Sequence, residues 1–147
     1  MAKRLFTPRP HSDTALASIG LLVLRVGAGG LLFFGHGYPK ILRLGQLAAS
    51  FPDPLGLGSA TSVGLVLFAE VVCAWLVIVG LCTRVASIPI LTFLCVAGFI
   101  QHAADPWKVR ELAFLFMVPF IALLAMGGGR YALDAVITRL IGRWPKG

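Results

Sequence analysis

Several residues of this sequence could do chemistry within an otherwise apolar chain. Arg25 lies in the middle of the apolar run LVLRVGAGGLLFF, and Glu70 in the middle of a second, LVLFAEVVCAWLVIVG. His36, His102 and Glu111 lie at the ends of such runs. Imidazoles, carboxylates and a permanent cation are the groups that bind polar ligands and move protons at intramembrane sites.

The elements that must position these groups are membrane-spanning helices. The 147 residues are 58% hydrophobic and 13% charged, with a mean hydropathy of +0.89, whereas soluble chains carry about 25% charged residues. The apolar runs approach the ~20 residues of a bilayer span, and backbone groups in lipid must be satisfied within each segment. The sequence therefore predicts a single-domain, all-α integral membrane four-helix bundle, with spans at about 15–34, 60–80, 85–102 and 109–126.

The first apolar run is predicted to be a retained span, although a basic start before an apolar run is also typical of a signal peptide. It continues past Gly20, contains Arg25 and shows no small-residue cleavage site. Lys and Arg are concentrated on the side of the N-terminus, the second loop and the C-terminus, which predicts that both termini are cytoplasmic. The net charge of +7 flanks spans, so nucleic acid is excluded as a partner.

Two segments outside the spans are predicted to be interfacial helices. Pro39 can open a short helix in the first outer loop, which is too apolar for a disordered connection. The C-terminal segment repeats Leu133, Ile137, Leu140 and Trp144 at helical spacing and carries basic residues elsewhere. We expect it to lie on the membrane surface and to contact anionic lipid; a frayed polar tail is the alternative.

The depth of the buried charges predicts a pair. Arg25 lies 11 residues inside His36, and Glu70 lies 10 residues inside Ala60 on the antiparallel neighbouring span. Equal depth predicts a buried ion pair between Arg25 and Glu70, which either fixes helix register or supports a site.

A second polar layer is predicted above that pair, at the outer ends of the spans. It is a candidate ligand-binding pocket of titratable and charged groups, formed by His36, Lys40, His102 and Glu111. Taken singly, each histidine could be an interfacial residue in water, and Glu111 could simply cap the fourth span.

Other site classes have little support in the sequence. Cys73, Cys82 and Cys95 form no CxxC pair and are interpreted as packing residues. No zinc spacing, phosphate-binding loop or dinucleotide fingerprint occurs, so no metal site and no intrinsic cofactor are predicted, and catalytic residues stay unassigned. The small residues of the first span could serve a homo-oligomer.

Three stretches resemble the DoxX family of small four-span bacterial membrane proteins over about residues 19–137. They are LRVGAGGLLFFGHGYPK, AEVVCAWLVIVGLCTRVAS and RELAFLFMVPFIALLAMGGGRYALDAVI, with Gly-Gly-Gly-Arg where the family has Gly-Pro-Gly-Arg. The resemblance implies a bacterial inner-membrane protein. It also implies quinone-linked redox chemistry with a soluble or membrane redox partner protein, since relatives include a thiosulfate:quinone oxidoreductase subunit.

Three functions are therefore open. The first is a redox subunit, an oxidoreductase component, that binds a quinone headgroup through His36 or His102 with Glu111 as a proton relay. The second is a non-enzymatic scaffold or chaperone for a partner protein. The third is a haem protein with His36 and His102 as axial ligands.

Overall fold

The four predicted spans are helices. The structure, a computed structural model, describes residues 15–142, so the basic N-terminal residues and Arg143, Trp144 and Lys146 lie outside the described part. Four helices are long and apolar enough to cross a membrane: α1 (Ala15–Leu42), α3 (Ser59–Val79), α4 (Thr83–Gln101) and α5 (Trp107–Met126). Two shorter helices are α2 (Leu44–Ser50), in the first connection, and α6 (Leu133–Gly142), after the last span. With no strand in residues 15–142, the predicted all-α bundle is confirmed.

The bundle has two ends that differ in structure. The loop end carries residues 43–58 and 102–106, and the C-terminal end carries residues 80–82 and 127–142. At the C-terminal end, α6 buries Ala135 and leaves Leu133, Ile137 and Leu140 exposed. This exposed apolar face makes α6 the amphipathic helix that the sequence predicts.

Helix α1 is longer than the predicted first span. It runs through Gly35, Gly37 and Pro39 to Leu42, where the sequence analysis ended the span near Phe34. Pro39 does not end the helix because it stands in the first turn of the regular segment Tyr38–Leu42, where a missing N–H costs little. The last turns of α1 consequently carry Lys40 into the bundle instead of into a loop.

Three of the four spans contain a π-helical turn. The turns are Phe33–Gly37 in α1, Phe68–Cys73 in α3 and Val96–Gln101 in α4. A π turn inserts a residue into the helix and re-aims the side chains around it, and such turns are frequent at functional sites. The first two turns pack against each other.

The helices approach one another most closely through glycine. A Cβ added at Gly37 would lie 2.8 Å from the backbone oxygen of Glu70, and one added at Gly29 would lie 2.8 Å from the side chain of Ile78. Small residues let neighbouring membrane helices pack at this distance. Helix α1 therefore lies directly against α3, while α4 packs along α5 over the fully buried Ile90 and Phe120.

Arginine side chains satisfy the backbone carbonyls at the ends of three spans. Arg25 donates to the carbonyl oxygen of Ile78 at the end of α3, at 2.7 Å. Arg84 donates to Ala125 and Met126 at the end of α5 (3.1 and 3.3 Å), and Arg110 donates to Gly98 and Ala103 around the end of α4 (3.0 and 3.4 Å). Helix ends leave carbonyls without intrahelical partners, and lipid offers no replacement. These arginines therefore act as caps supplied by a neighbouring helix.

The backbone at Cys82 is expected to be strained, and substitution by glycine should relieve the strain. It joins α3 to α4 with φ 49° and ψ 37°, a left-handed conformation that is unfavourable for residues with a Cβ. A Cys82→Gly variant should raise the free energy of unfolding by up to about 1 kcal/mol. The measurement is unfolding in mixed detergent micelles.

The same chemical change within a helix provides the control. Cys95 is exposed in the regular part of α4, so Cys95→Gly should lower stability by about 1 kcal/mol. A destabilised Cys82→Gly variant would contradict the assignment of strain to this position.

Candidate functional site

The buried charges do not pair as the sequence predicted. Within residues 15–142 the Arg25 guanidinium makes no salt bridge; it donates to the carbonyl oxygens of Ile78 and Tyr131, both at 2.7 Å. The residue of α1 that lies beside Glu70 is Gly37. The depth argument failed because α1 continues to Leu42, so His36 is not level with the start of α3. Arg25 is consequently level with Ile78, two helical turns (about 12 Å) beyond Glu70.

Glu70 instead pairs with Lys40. The Lys40 Nζ lies 2.8 Å from Oε1 and 2.6 Å from Oε2 of the carboxylate, and it also donates to the backbone oxygen of His36 at 3.3 Å. The Glu70 side chain is 1% exposed and that of Lys40 is 23% exposed. A buried carboxylate needs a close cation to stay ionised in an apolar environment, and the extended end of α1 supplies it.

The pair lies in the wall of a cavity inside the loop end of the bundle. The cavity measures about 600 Å³, within the size range of small-molecule sites, and all four spans and the segment 51–57 line it. Most of the lining is leucine, valine, phenylalanine and proline; the polar or charged side chains are His36, Lys40, Ser62, Glu70, Thr92, Gln101 and His102. Such a cavity suits an apolar molecule with a small polar end.

His36 presents an unoccupied imidazole to this cavity. Its ring lies edge-to-face against Phe116, with 5.6 Å between the centroids, and its nitrogens make no hydrogen bond to any side chain or backbone group of residues 15–142. The ring is half-buried. It can therefore donate a hydrogen bond to a ligand, or accept one, without first breaking a contact.

The other two predicted pocket residues differ from His36. His102 lines the cavity, but its Nδ1 is 2.6 Å from the Asp105 carboxylate in the following turn. Glu111 is exposed on α5 and is not part of the lining. The structure thus brings His36, Lys40 and His102 to one cavity and leaves Glu111 outside it.

Sequence reasoning missed the largest part of this site. Glu70 belongs to the cavity wall, and so does the loop segment 51–57, which covers the loop end with Phe51, Pro52 and Leu55. The sequence held one usable signal, because Lys40 follows His36 by four residues and a helix through Pro39 would place both on one face. The π turns have no sequence signal that we recognise.

The loop over the cavity is held by one carboxylate. Asp53 Oδ1 accepts hydrogen bonds from the backbone N–H of Leu57 (2.9 Å) and the hydroxyl of Ser62 (2.7 Å), and Oδ2 accepts one from Gly58 N–H (2.6 Å). The bond from Ser62, followed by that from Gly58, holds the pKa of Asp53 below its ordinary value. The ionised form therefore fixes the loop against the start of α3.

The order of this loop should depend on pH. Since the pKa of Asp53 is lowered in the folded protein, its contribution is complete above about pH 4, the ordinary aspartate pKa, and is lost as pH falls through the lower folded value. We expect amide exchange at Leu57 and Gly58 to quicken severalfold across that acidic range, after correction for the intrinsic pH dependence. Asp53→Asn should show fast exchange at every pH. Wild-type exchange that does not change through this range would contradict the assignment.

Residues 15–142 contain no group of three or more histidine, cysteine, aspartate or glutamate side chains placed to hold a metal ion. Among the polar lining side chains, Ser62 and Thr92 already donate to Asp53 and to the backbone of Ile88. The other polar groups that could contact a ligand are His36, the Lys40–Glu70 pair, Gln101 and His102. Together they offer hydrogen-bond donors and acceptors and an exchangeable proton in a mostly apolar cavity.

Comparison with known proteins adds a family and a relative. The family model described as DoxX matches residues 20–103, which include α3 and the cavity residues His36, Lys40, Glu70 and His102. The uncharacterized membrane protein Rv3486 of Mycobacterium tuberculosis is 32% identical, over 75% of this chain and 77% of its own length. No solved structure matches.

Proposed function

This chain belongs to the DoxX family of membrane proteins, and from that premise we propose that it is the quinone-binding membrane subunit of a redox system. The quinone headgroup would occupy the cavity at the loop end. The observation that carries the proposal is the imidazole of His36, free of hydrogen-bond partners within residues 15–142, beside the buried Lys40–Glu70 pair in a mostly apolar cavity. A quinone has the matching chemistry, because its ring and chain are apolar and its two carbonyl oxygens accept hydrogen bonds.

Each polar group has a role in this proposal. Lys40 Nζ or the His36 ring donates to a quinone carbonyl oxygen, and Glu70 keeps the ammonium in place. Reduction of a quinone to a quinol takes two electrons and two protons. The electrons come from a redox partner protein, and His36, Glu70 and His102 are residues of the cavity that can exchange protons with the ring oxygens.

We also propose that the protein lies in the bacterial inner membrane with its C-terminal end at the cytoplasm. Arg84, Arg130 and Arg139 support this orientation at that end, together with the basic residues of both termini. The cavity would then open near the outer leaflet, and the partner would dock at the loop end.

A scaffold or chaperone function is the second candidate. It is favoured by the loop end itself, where Leu42 at the end of α1 is 69% exposed and Leu44 at the start of α2 is 42% exposed. Exposed leucines at the rim of a bundle can bind a partner protein. In that case the polar groups would serve only to hold the helices together.

The test is quinone binding by the full chain in lipid nanodiscs, with extraction and mass spectrometry of the molecules that copurify. The proposal predicts that His36→Ala weakens binding at least about tenfold, by removing a hydrogen bond inside an apolar cavity. Glu111→Gln is the matched control, because Glu111 is outside the lining; its affinity should equal that of the wild type. Equal quinone affinity in His36→Ala and wild type would refute the proposed site.

The same preparation separates the remaining functions. An absorption spectrum before and after dithionite would show haem if His36 and His102 ligated it. A colourless protein without quinone affinity, which still captured a partner through Leu42 and Leu44, would establish the scaffold function instead.

A further inference from the structure

We propose that the cavity opens to the lipid through a cleft between α3 and α4, and that this cleft holds the chain of a long-tailed quinone. This inference rests on the proposed function and specifies its ligand class. The quinone would be a membrane-borne isoprenoid type, reached from within the bilayer. The cleft is defined by Leu65 and Phe68 on α3 and by Ile88 and Thr92 on α4.

The position of these residues on α3 indicates an opening. Leu65 and Phe68 are 53% and 47% exposed, and they continue along one helical stripe into Val72 and Trp75, which are 47% and 45% exposed. Val72 and Trp75 do not line the cavity, so this stripe is the outward face of α3. Leu65 and Phe68 form the half of this stripe nearer the loop end, and they both face outward and line the cavity.

Helix α4 repeats the pattern from the other side. Ile88 and Thr92 are exposed and lie on a stripe with the exposed Val85 and Phe99, neither of which lines the cavity. The Thr92 hydroxyl donates to the backbone oxygen of Ile88 at 3.0 Å, so the wall of the cleft presents no free donor. Both walls are therefore apolar and face lipid.

Helix packing explains why the cleft is there. The first half of α3, Ser59–Leu67, packs mainly against α2, whereas α4 contacts α3 chiefly through the π turn Phe68–Cys73 and the residues after it. The two spans thus have their closest packing away from the loop end. A quinone whose ring contacts His36 and Lys40 would extend its apolar chain through this cleft, an exit that a short water-soluble ligand would not need.

The experiment compares a headgroup-only benzoquinone with the same ring carrying a decyl chain. Equilibrium binding is measured in nanodiscs for the wild type and for Thr92→Trp, which fills the cleft. We expect Thr92→Trp to weaken binding of the decyl quinone about tenfold and to leave headgroup binding within about twofold of wild type. Leu115→Trp, on the lipid-facing side of α5 outside the lining, is the control and should bind both quinones normally.

Leu65→Trp fills the cleft from the opposite wall and repeats the test if Thr92→Trp does not fold. Normal decyl affinity in the folded cleft variant, with headgroup binding intact, would overturn the cleft while leaving the proposed function standing. A wild type that bound neither quinone would overturn both.

Discussion

A Lys40→Met variant is expected to lose about 3–5 kcal/mol of stability, because it leaves the Glu70 carboxylate buried without its cation. The Glu70 side chain is 1% exposed. Within residues 15–142, Lys40 is the side chain that donates hydrogen bonds to its carboxylate. Met has similar volume, so packing around the stem of the side chain is retained. Denaturant titration in mixed micelles measures the loss.

Two further variants separate the charge from the packing. Glu70→Gln should cost less than Lys40→Met, since the Lys40 side chain is 23% exposed and its ammonium can still reach water. The double variant Lys40→Met/Glu70→Gln should recover most of the stability, because no unpaired charge remains, but it should not recover quinone affinity. Lys108→Met, an exposed lysine at the start of α5, is the control. A Lys40→Met protein as stable as the control would show that the ion pair does not hold α1 against α3.

The second large effect is expected at Arg25. Arg25→Met should lower the free energy of unfolding by about 2–5 kcal/mol, since two partly buried carbonyl oxygens, of Ile78 and Tyr131, lose their donor. Arg25→Lys should fall between wild type and Arg25→Met, because an ammonium lacks the planar fork that reaches both oxygens at once. The thermal midpoints of unfolding in detergent should rank the three proteins in this order of stability.

A second readout follows from the position of Tyr131. Arg25 connects α1 to the segment before α6, so its loss should also loosen that segment and increase tryptic cleavage after Arg130 and Arg139. Arg43→Met is the matched control, an exposed arginine in the first connection. If Arg25→Met and Arg43→Met were equally stable and equally resistant to trypsin, the capping role of Arg25 would be excluded.

The fold was predictable because hydropathy and span length are properties of composition. Four apolar runs near bilayer length leave few alternatives to a helical bundle, and the apolar face of α6 followed from helical spacing. The placement of His36 and Lys40 at one end of the bundle was predicted as well, from their positions at the end of the first apolar run.

The partners of the charges were not predictable, because they depend on where α1 ends. Reading Pro39 as the start of a separate loop helix shortened the span by about two turns and displaced the partner of Glu70 from Lys40 to Arg25. A shift of two turns along α1 changes every contact that is predicted between α1 and its antiparallel neighbour α3. Glu111 was misplaced for a related reason, since depth alone does not say which face of α5 is turned inward.

The π turn of α1 absorbs one residue that a regular helix could not take up without turning Lys40 away from Glu70. A π turn carries one residue more than an α-helix would need for the same rise, so deletion of Gly35 would let Phe33–Tyr38 close into regular helix with Lys40 still directed at α3. Deletion of Leu31, in the regular part of α1, would instead rotate everything beyond it by about 100°, one residue's share of a helical turn. Lys40 would then point away from α3, although no charged residue had been altered. The site therefore requires a particular phase between the two halves of α1, which a comparison of residue identities alone would not reveal.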